Sequence, residues 1–291
     1  MPLPTRKLGK TGIALPILGF GTAPAGKRLA RREAVLLFEK ALQAGVTYFD
    51  TAPEFAGYGK AQRYLGPFVK AHRKEIFLVT KCFAPTYDEA LKLLESNLKE
   101  LQTDYADLVF VHSLGADKMD PSIVFSRKGG YAGLVKAKKL GLTKYIGLSG
   151  HNRPKRFVEA IQRFDVDVLL NAVNFVDRQT YNFEELVWPV AHRLNLGLIA
   201  MKVYGGQRKA EKLGLSHCLM PKAHLDGAFR YALGLGPTAC AVIGMATPQE
   251  LQENVHRAQT LSPLNPREKA KLLSLGRSLA NEWGPHFGSV V

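Results

Sequence analysis

The segment Tyr48-Phe49-Asp50-Thr51-Ala52, running on to Tyr58-Gly59, decides how the rest of the chain is read. Val46 to Phe49 is apolar and β-prone, which predicts a short buried strand. Asp50 stands where that strand ends, because Thr51-Ala52-Pro53 cannot extend a central strand. A carboxylate at the C-terminal tip of a buried strand has two readings. It is a cap, since Asp is common at strand ends and helix starts. Or it is a reactive group at the open face of a barrel.

The neighbouring sequence repeats the same unit. Thr5 to Leu15 carries Gly9-Lys10 and Thr11-Gly12 between short apolar pieces and predicts a hairpin. Ile17 to Gly21 is the first core strand; its glycines allow close approach of backbone or ligand, or mark a bulge. Ala30 to Ala44 has helical spacing and stops at Gly45. Helix Ala61 to Ala71 and strand Ile76 to Thr80 follow, then helix Tyr87 to Leu101 and strand Ala106 to Val111. Gly133 to Leu140 is the core of a helix closed by Gly141, before strand Tyr145 to Leu148. Later units are helix Pro154 to Phe164, strand Val168 to Ala172, helix Phe183 to Leu194 and strand Gly197 to Met201. Helix Lys222 to Leu233, strand Ala239 to Ile243 and helix Pro248 to Ala258 complete the alternation. A last helix, about Pro266 to Glu282, has no strand after it.

The strands are apolar without alternation, which means parallel strands buried on both faces. A closed (β/α)8 TIM barrel with an N-terminal β-hairpin and an extra C-terminal helix fits best. The alternative is a doubly wound open sheet, but no GxGxxG follows the first strand. The 291 residues suit one barrel with modest additions, and no linker or composition break divides them. A single domain over 1–291 is expected.

Composition narrows the function. The formal charge of +15 suits an anionic ligand, yet the basic residues are spread out. The clusters Lys27 to Arg32 and Lys136 to Lys144 lack interleaved aromatics and read as solvated helix faces, not a nucleic-acid groove. Cys82, Cys218 and Cys240 are far apart and form no CxxC, which argues against a metal site or disulfide framework and for a reducing, cytoplasmic compartment. No apolar run approaches the ~20 residues of a membrane span. Oligomeric state is not readable.

In a barrel, reactive groups sit at the C-terminal strand ends. Those positions hold Asp50, Lys81, His112, Ser149 and Asn171 on successive strands. A carboxylate, an ammonium and an imidazole on three adjacent strands make a site candidate.

These residues resemble the aldo-keto reductase family. The motifs are Ile17-Leu18-Gly19-Phe20-Gly21-Thr22, Tyr48-Phe49-Asp50-Thr51-Ala52, Val79-Thr80-Lys81, Asp107-Leu108-Val109-Phe110-Val111-His112, Ile146-Gly147-Leu148-Ser149 and Glu253-Asn254. The resemblance implies a (β/α)8 barrel, NADP(H) or NAD(H) bound without a Rossmann domain, and reduction of a small aldehyde, ketone or sugar. It implies a proton-donating tyrosine, tuned by Lys81 and Asp50, with His112 orienting the carbonyl. A nearby lysine cation is expected to lower the phenol's pKa.

The family places that tyrosine five residues after the aspartate, where this chain has Phe55. Tyr58-Gly59 follows three residues later, so Tyr58 is the candidate and Phe55 its rival. With Phe55 in the slot, the protein would be a weak enzyme or a dinucleotide-binding sensor or interaction subunit. The resemblance assigns cofactor contacts to Gly21, Thr22, Ala23, Asp50, Ser149, Gly150, Asn171, Met201, Lys202, Gly244, Met245, Thr247, Glu253 and Asn254. It also shows departures. Gly150 replaces an asparagine, Ala172 replaces a glutamine, and Met201 stands where a tyrosine often stacks on nicotinamide. Asn171 or Asn174 is left to supply the missing amide contact. Helix Pro248 to Ala258 would point its N-terminus at a phosphate. Glu250 stands where an arginine commonly meets the 2′-phosphate of NADP, and a carboxylate suits a ribose hydroxyl instead. Trp283 and Phe287 either line the pocket or cover the barrel wall; the wall is expected.

Overall fold

A computed structural model describes residues 2–206 and 218–291. The chain opens with strands β1 (Thr5–Lys7) and β2 (Ala14–Pro16), paired antiparallel with Arg6 opposite Leu15. Eight parallel strands then close a barrel: β3 (Leu18–Gly21), β4 (Tyr48–Asp50), β5 (Phe77–Cys82), β6 (Ala106–Val111), β7 (Thr143–Gly150), β8 (Val168–Ala172), β9 (Gly197–Met201) and β10 (Thr238–Gly244). They lie in chain order, and β10 returns to pair with β3. This is the (β/α)8 barrel, with helix Pro266–Trp283 added after the last unit.

The hairpin has a structural task. It packs Leu8 and Leu15 into the barrel interior with Phe77, Val79 and Leu108. At Gly197 an added Cβ would lie 2.6 Å from Leu8 Cδ1, so the glycine makes room for this plug. Outside the barrel, helices cover the strands with a second, larger apolar layer that includes Phe38, Phe68, Phe157 and Phe229. That is the usual division of a barrel core into interior and outer shell.

Several local expectations are corrected. The stretch Phe183 to Leu194 is two short helices, Phe183–Leu186 and Trp188–Arg193, not one. Pro189 is the cause: it has no N–H to donate, and its ring crowds the carbonyl four residues back. The helix before β7 runs Gly130–Lys139, placing Gly130 to Ala132 ahead of the expected core at Gly133; an added Cβ at Gly130 would lie 2.2 Å from Ala84 O. Lys222–His224 is a 3-10 turn leading into helix Leu225–Gly234. Short helices at Ala23–Arg28 and Pro121–Val124 interrupt stretches that lack helical periodicity. Gly19 marks no bulge, since β3 keeps a regular register with both neighbours. An added Cβ there would sit 2.7 Å from the Tyr48 ring and 3.1 Å from Cys240 Sγ, so the glycine makes room for an aromatic inside the barrel.

Candidate active site

Asp50, Lys81 and His112 come from β4, from β5 and from the residue after β6. Side chains of one strand alternate faces, so those at the strand ends that face inward meet at the barrel mouth. Asp50 is 2 % exposed, Lys81 1 % and His112 7 %. Lys81 Nζ donates to Asp50 Oδ1, to Thr51 O at 3.2 Å and to the Tyr58 hydroxyl at 2.9 Å. The Tyr58 hydroxyl donates to Asp50 Oδ1 at 3.1 Å. The rings of Tyr58 and His112 meet edge-on, 6.4 Å apart.

The loop after β4 explains why Tyr58 turns in and Phe55 does not. Glu54–Ala56 forms a 3-10 turn, and Gly57 and Gly59 both have positive φ, at 84° and 56°. Two left-handed residues reverse the chain twice within three positions, which L side chains resist. Lys60 N then donates to Gly26 O at 3.0 Å and ties the loop to the Ala23–Arg28 helix. Phe55, on the outside of the turn, is 64 % exposed.

Electrostatics correct the expected pKa of the phenol. Burial, and then the negative charge of Asp50, raise Tyr58 well above the usual phenol value. Burial leads, and the Asp50 carboxylate at 3.1 Å from the hydroxyl counters the Lys81 ammonium at 2.9 Å. Burial lowers Lys81, opposed by Asp50. Burial, then Lys81 and Lys202, push His112 down to about 3, so its ring is neutral at pH 7.

The backbone around this triangle is well anchored. Thr22 N and Thr22 Oγ1 both donate to Asp50 O at 2.9 Å. Behind Lys81, Asn97 Nδ2 donates to Lys81 O at 3.0 Å. Thr80 Oγ1 donates to Gln62 Oε1 at 2.8 Å, and Gln62 Nε2 donates to Asn97 Oδ1 at 3.1 Å. Sequence reading missed Asn97 and Gln62 as supports. The available signal was a polar residue on the buried face of each helix.

The remaining assigned residues divide into free and committed groups. Ser149 Oγ donates to Val111 O at 3.3 Å, and Gly150 closes β7, where an added Cβ would lie 2.6 Å from Phe157 Cζ. Asn171 Oδ1 accepts from Trp188 Nε1 at 3.2 Å, while its buried Nδ2 has no partner among the described residues. Asn174 is spent: Nδ2 serves Asp177 and Lys202 O, and Oδ1 takes the amides of Val176 and Asp177. Met201 ends β9 inside the barrel, and Lys202 follows with φ 54°. Burial, then Lys27 and Lys81, lower the Lys202 ammonium.

At the other side, Gly21 and Gly244 are register partners, with Ala23 and Pro24 beginning the neighbouring helix. An added Cβ at Gly244 would meet Pro24 at 2.7 Å. Met245 is a buried core residue. Asn254 accepts from the Tyr204 hydroxyl at 2.6 Å and donates to Glu250 O at 2.7 Å. Glu253 pairs with Arg257 at 3.4 Å. The sequence implied a phosphate at the N-terminus of helix Pro248–Gln259; the two amides just before that helix are already taken by Glu250. Glu250 Oε2 accepts from Ala246 N at 2.6 Å and Thr247 N at 3.2 Å, and Thr247 Oγ1 accepts from Glu250 N at 3.0 Å. Arg28 lies 3.6 Å from the same carboxylate.

The C-terminal tail lies at the mouth, not on the wall. Phe287 packs on His151 with ring centroids 5.0 Å apart, and Trp283 closes on Gly205. The Tyr181 hydroxyl donates to Gly288 O at 3.1 Å, and Asn152 Nδ2 donates to Ser289 O at 3.0 Å. Among the described residues, no helix is long and apolar enough to cross a membrane.

Comparison with known proteins supports the same grouping. The aldo/keto reductase family model matches residues 17–224. The chain is 25 % identical to an L-galactose dehydrogenase of Arabidopsis thaliana over 289 residues, 89 % of each chain. It is 30 % identical to an NADPH-dependent codeinone reductase of Papaver somniferum over 179 residues, 56 % of this chain and 55 % of that one. A crystal structure from Pseudomonas aeruginosa, described as an aldo-keto reductase, superposes with a TM-score of 0.72 at 26 % identity, covering 89 % of this chain and 96 % of that one. With its closed parallel barrel and a family match over most of its length, the chain belongs to the aldo/keto reductase family.

Proposed function

We propose that the protein is an NAD(P)-dependent oxidoreductase that interconverts small aldehydes, ketones or sugars with their alcohols, using Tyr58 as the proton donor. The observation that carries this is the Tyr58 hydroxyl held 2.9 Å from Lys81 Nζ and 3.1 Å from Asp50, beside His112. A bound reduced nicotinamide cofactor supplies the hydride. The chain supplies the proton and the geometry.

Tyr58 gives its proton to the carbonyl oxygen as negative charge develops there. Because burial and Asp50 disfavour the phenolate, the donor stays loaded at pH 7. Lys81 then stabilises the phenolate left behind, and Asp50 holds Lys81 in place. His112, neutral, orients the carbonyl oxygen through a hydrogen bond. The unpartnered Nδ2 of Asn171 fits a carboxamide oxygen, and Ser149 stands on the adjacent strand end. Gly21, Thr22, Ala23, Gly150, Met201 and Lys202 would line the rest of the nicotinamide and phosphate path. Gly244, Met245, Thr247, Glu253 and Asn254 would line the adenine end, Met245 through its backbone.

NADP(H) is the favoured cofactor, supported by the NADPH-dependent relative and by the net charge of +15; NAD(H) is the alternative. Three unpaired cysteines suit a reducing, cytoplasmic setting. The competing sensor reading needed Phe55 in the donor slot, and Phe55 faces outward. The test is loss of NADPH or NADH absorbance with a panel of aldehydes and ketones. No turnover with either cofactor, together with no cofactor binding by fluorescence, rejects the proposal.

A further inference from the structure

Beneath the triangle lies a polar group that the reaction above does not use. Tyr48 is buried inside the barrel, stacked on Phe77 with centroids 5.7 Å apart. It stands two residues before Asp50 on β4, so both side chains point to the same interior face. The absent Cβ of Gly19 gives the ring its room, and Cys240 Sγ is the next group beyond. The Tyr48 hydroxyl has no hydrogen-bond partner among the described residues, and neither has Asp50 Oδ2. Asp50 also acts electrostatically on the phenol, helping burial to raise it.

Two unpartnered buried groups on one strand face are costly unless something joins them. They are complementary, since a phenol donates and a carboxylate oxygen accepts. They do not touch directly. Within the barrel the titratable groups that act on Asp50 are Lys81, Lys202, Tyr58, Tyr48 and Cys240, with His112 beside Lys81 and Lys202. Lys81 and Tyr58 both engage Oδ1, which leaves Oδ2 to hold the carboxylate's orientation.

We propose that Tyr48 is a positioning residue for Asp50, joined to Oδ2 through one buried water. The water accepts from the Tyr48 hydroxyl and donates to Oδ2, so the carboxylate plane is fixed from below while Lys81 and Tyr58 are held from above. This rests on Asp50 belonging to the proton-donating machinery. The structural half stands without it.

The test is Tyr48→Phe, which deletes one oxygen and keeps the ring stack. A urea-unfolding cycle pairs it with Asp50→Asn, independently of activity. Tyr48→Phe is expected to lower the midpoint in the wild-type background and to lose that effect in the Asp50→Asn background. A raised midpoint overturns the proposal, because a truly orphaned hydroxyl is better removed. Additive effects overturn it too. Should the Asp50→Asn variant not fold, a crystal structure of the wild type decides: ordered density bridging the two oxygens is expected, and its absence overturns the link. In turnover, Tyr48→Phe is expected to lower kcat about tenfold, the value of one hydrogen bond to a charged group, and to shift the pH profile with KM unchanged. An unchanged kcat and profile overturn the positioning role. A wild type with no turnover would reject the reductase reading, and the unfolding cycle would still decide whether Tyr48 and Asp50 are linked.

Discussion

The hydroxyl of Tyr58 stands 2.9 Å from Nζ of Lys81, although 23 residues and a whole strand–helix unit separate them in the chain. With Asp50 at 3.1 Å from the same hydroxyl, phenol, ammonium and carboxylate form a closed triangle. A buried triangle of this kind has almost no net charge, and that governs what each member does.

Tyr58→Phe removes the proton donor and keeps the ring. The expected loss in kcat is on the order of 10²- to 10⁴-fold, the span of general acid catalysis. Cofactor affinity should stay within about threefold, since the ring still packs. Phe55→Ala, at an exposed position, should leave kcat within about twofold. Steady-state absorbance and fluorescence titration measure both. A Tyr58→Phe variant with wild-type kcat would assign the proton to another group.

Lys81→Met leaves the buried Asp50 carboxylate without its ammonium partner. The expected destabilisation is about 3–5 kcal/mol, the cost of breaking a buried pair from one side. Urea unfolding reads it directly. A loss below about 1 kcal/mol would mean that water reaches Asp50 and the pair is effectively at the surface.

The pH profile follows from the directions of the shifts. His112 is held at about 3, so it carries no charge change near pH 6.5. Tyr58 is raised, so it loses its proton only above the ordinary phenol range. Reduction should therefore show no histidine limb near pH 6.5, and its alkaline fall should follow Lys81, whose ammonium burial lowers from 10.5. A limb near 6.5 that disappears in His112→Gln would contradict this.

Glu184 offers a stability test away from the mouth. It accepts from the Tyr231 hydroxyl at 2.5 Å, and burial pushes it up to about 7 from an ordinary value of 4.5. A carboxyl raised in the folded state favours folding when protonated. That contribution is complete below 4.5 and is lost as pH rises through about 7. Its full size is about 3 kcal/mol. Glu184→Gln keeps the hydrogen-bond acceptor and removes the titration, so its Tm should vary less between pH 5 and pH 8 than that of the wild type. Parallel melting curves would show that the side chain stays ionised beside Arg178.

Glu250 occupies the amides of Ala246 and Thr247 and faces Arg28. Glu250→Ala should cost about 1 kcal/mol of stability through the lost cap contacts. It should also release Arg28 and strengthen binding of NADP(H) relative to NAD(H) by about tenfold, one charge interaction's worth. Fluorescence titration with both cofactors measures the ratio. An unchanged ratio would place the 2′-phosphate elsewhere.

Much of this architecture was legible before any coordinates. Non-alternating apolar runs at regular spacing announced parallel strands, and polar residues at their ends announced Asp50, Lys81 and His112. These features are local, set by periodicity and by where a strand must stop. Helix boundaries were less legible where a single residue acts through sterics, as Pro189 does in splitting its helix and Gly130 does in seating a turn ahead of the expected core.

Residue order could not say which aromatic turns inward, because Phe55 and Tyr58 differ only through a loop with two positive-φ glycines, Gly57 and Gly59, whose far end is held against Gly26. Nor could it say that the phenol is pushed up, or that Glu250 already takes the amides of Ala246 and Thr247. Those outcomes depend on distances between groups far apart in the chain. Desolvation and charge act through space, and only the closed barrel decides which groups share it.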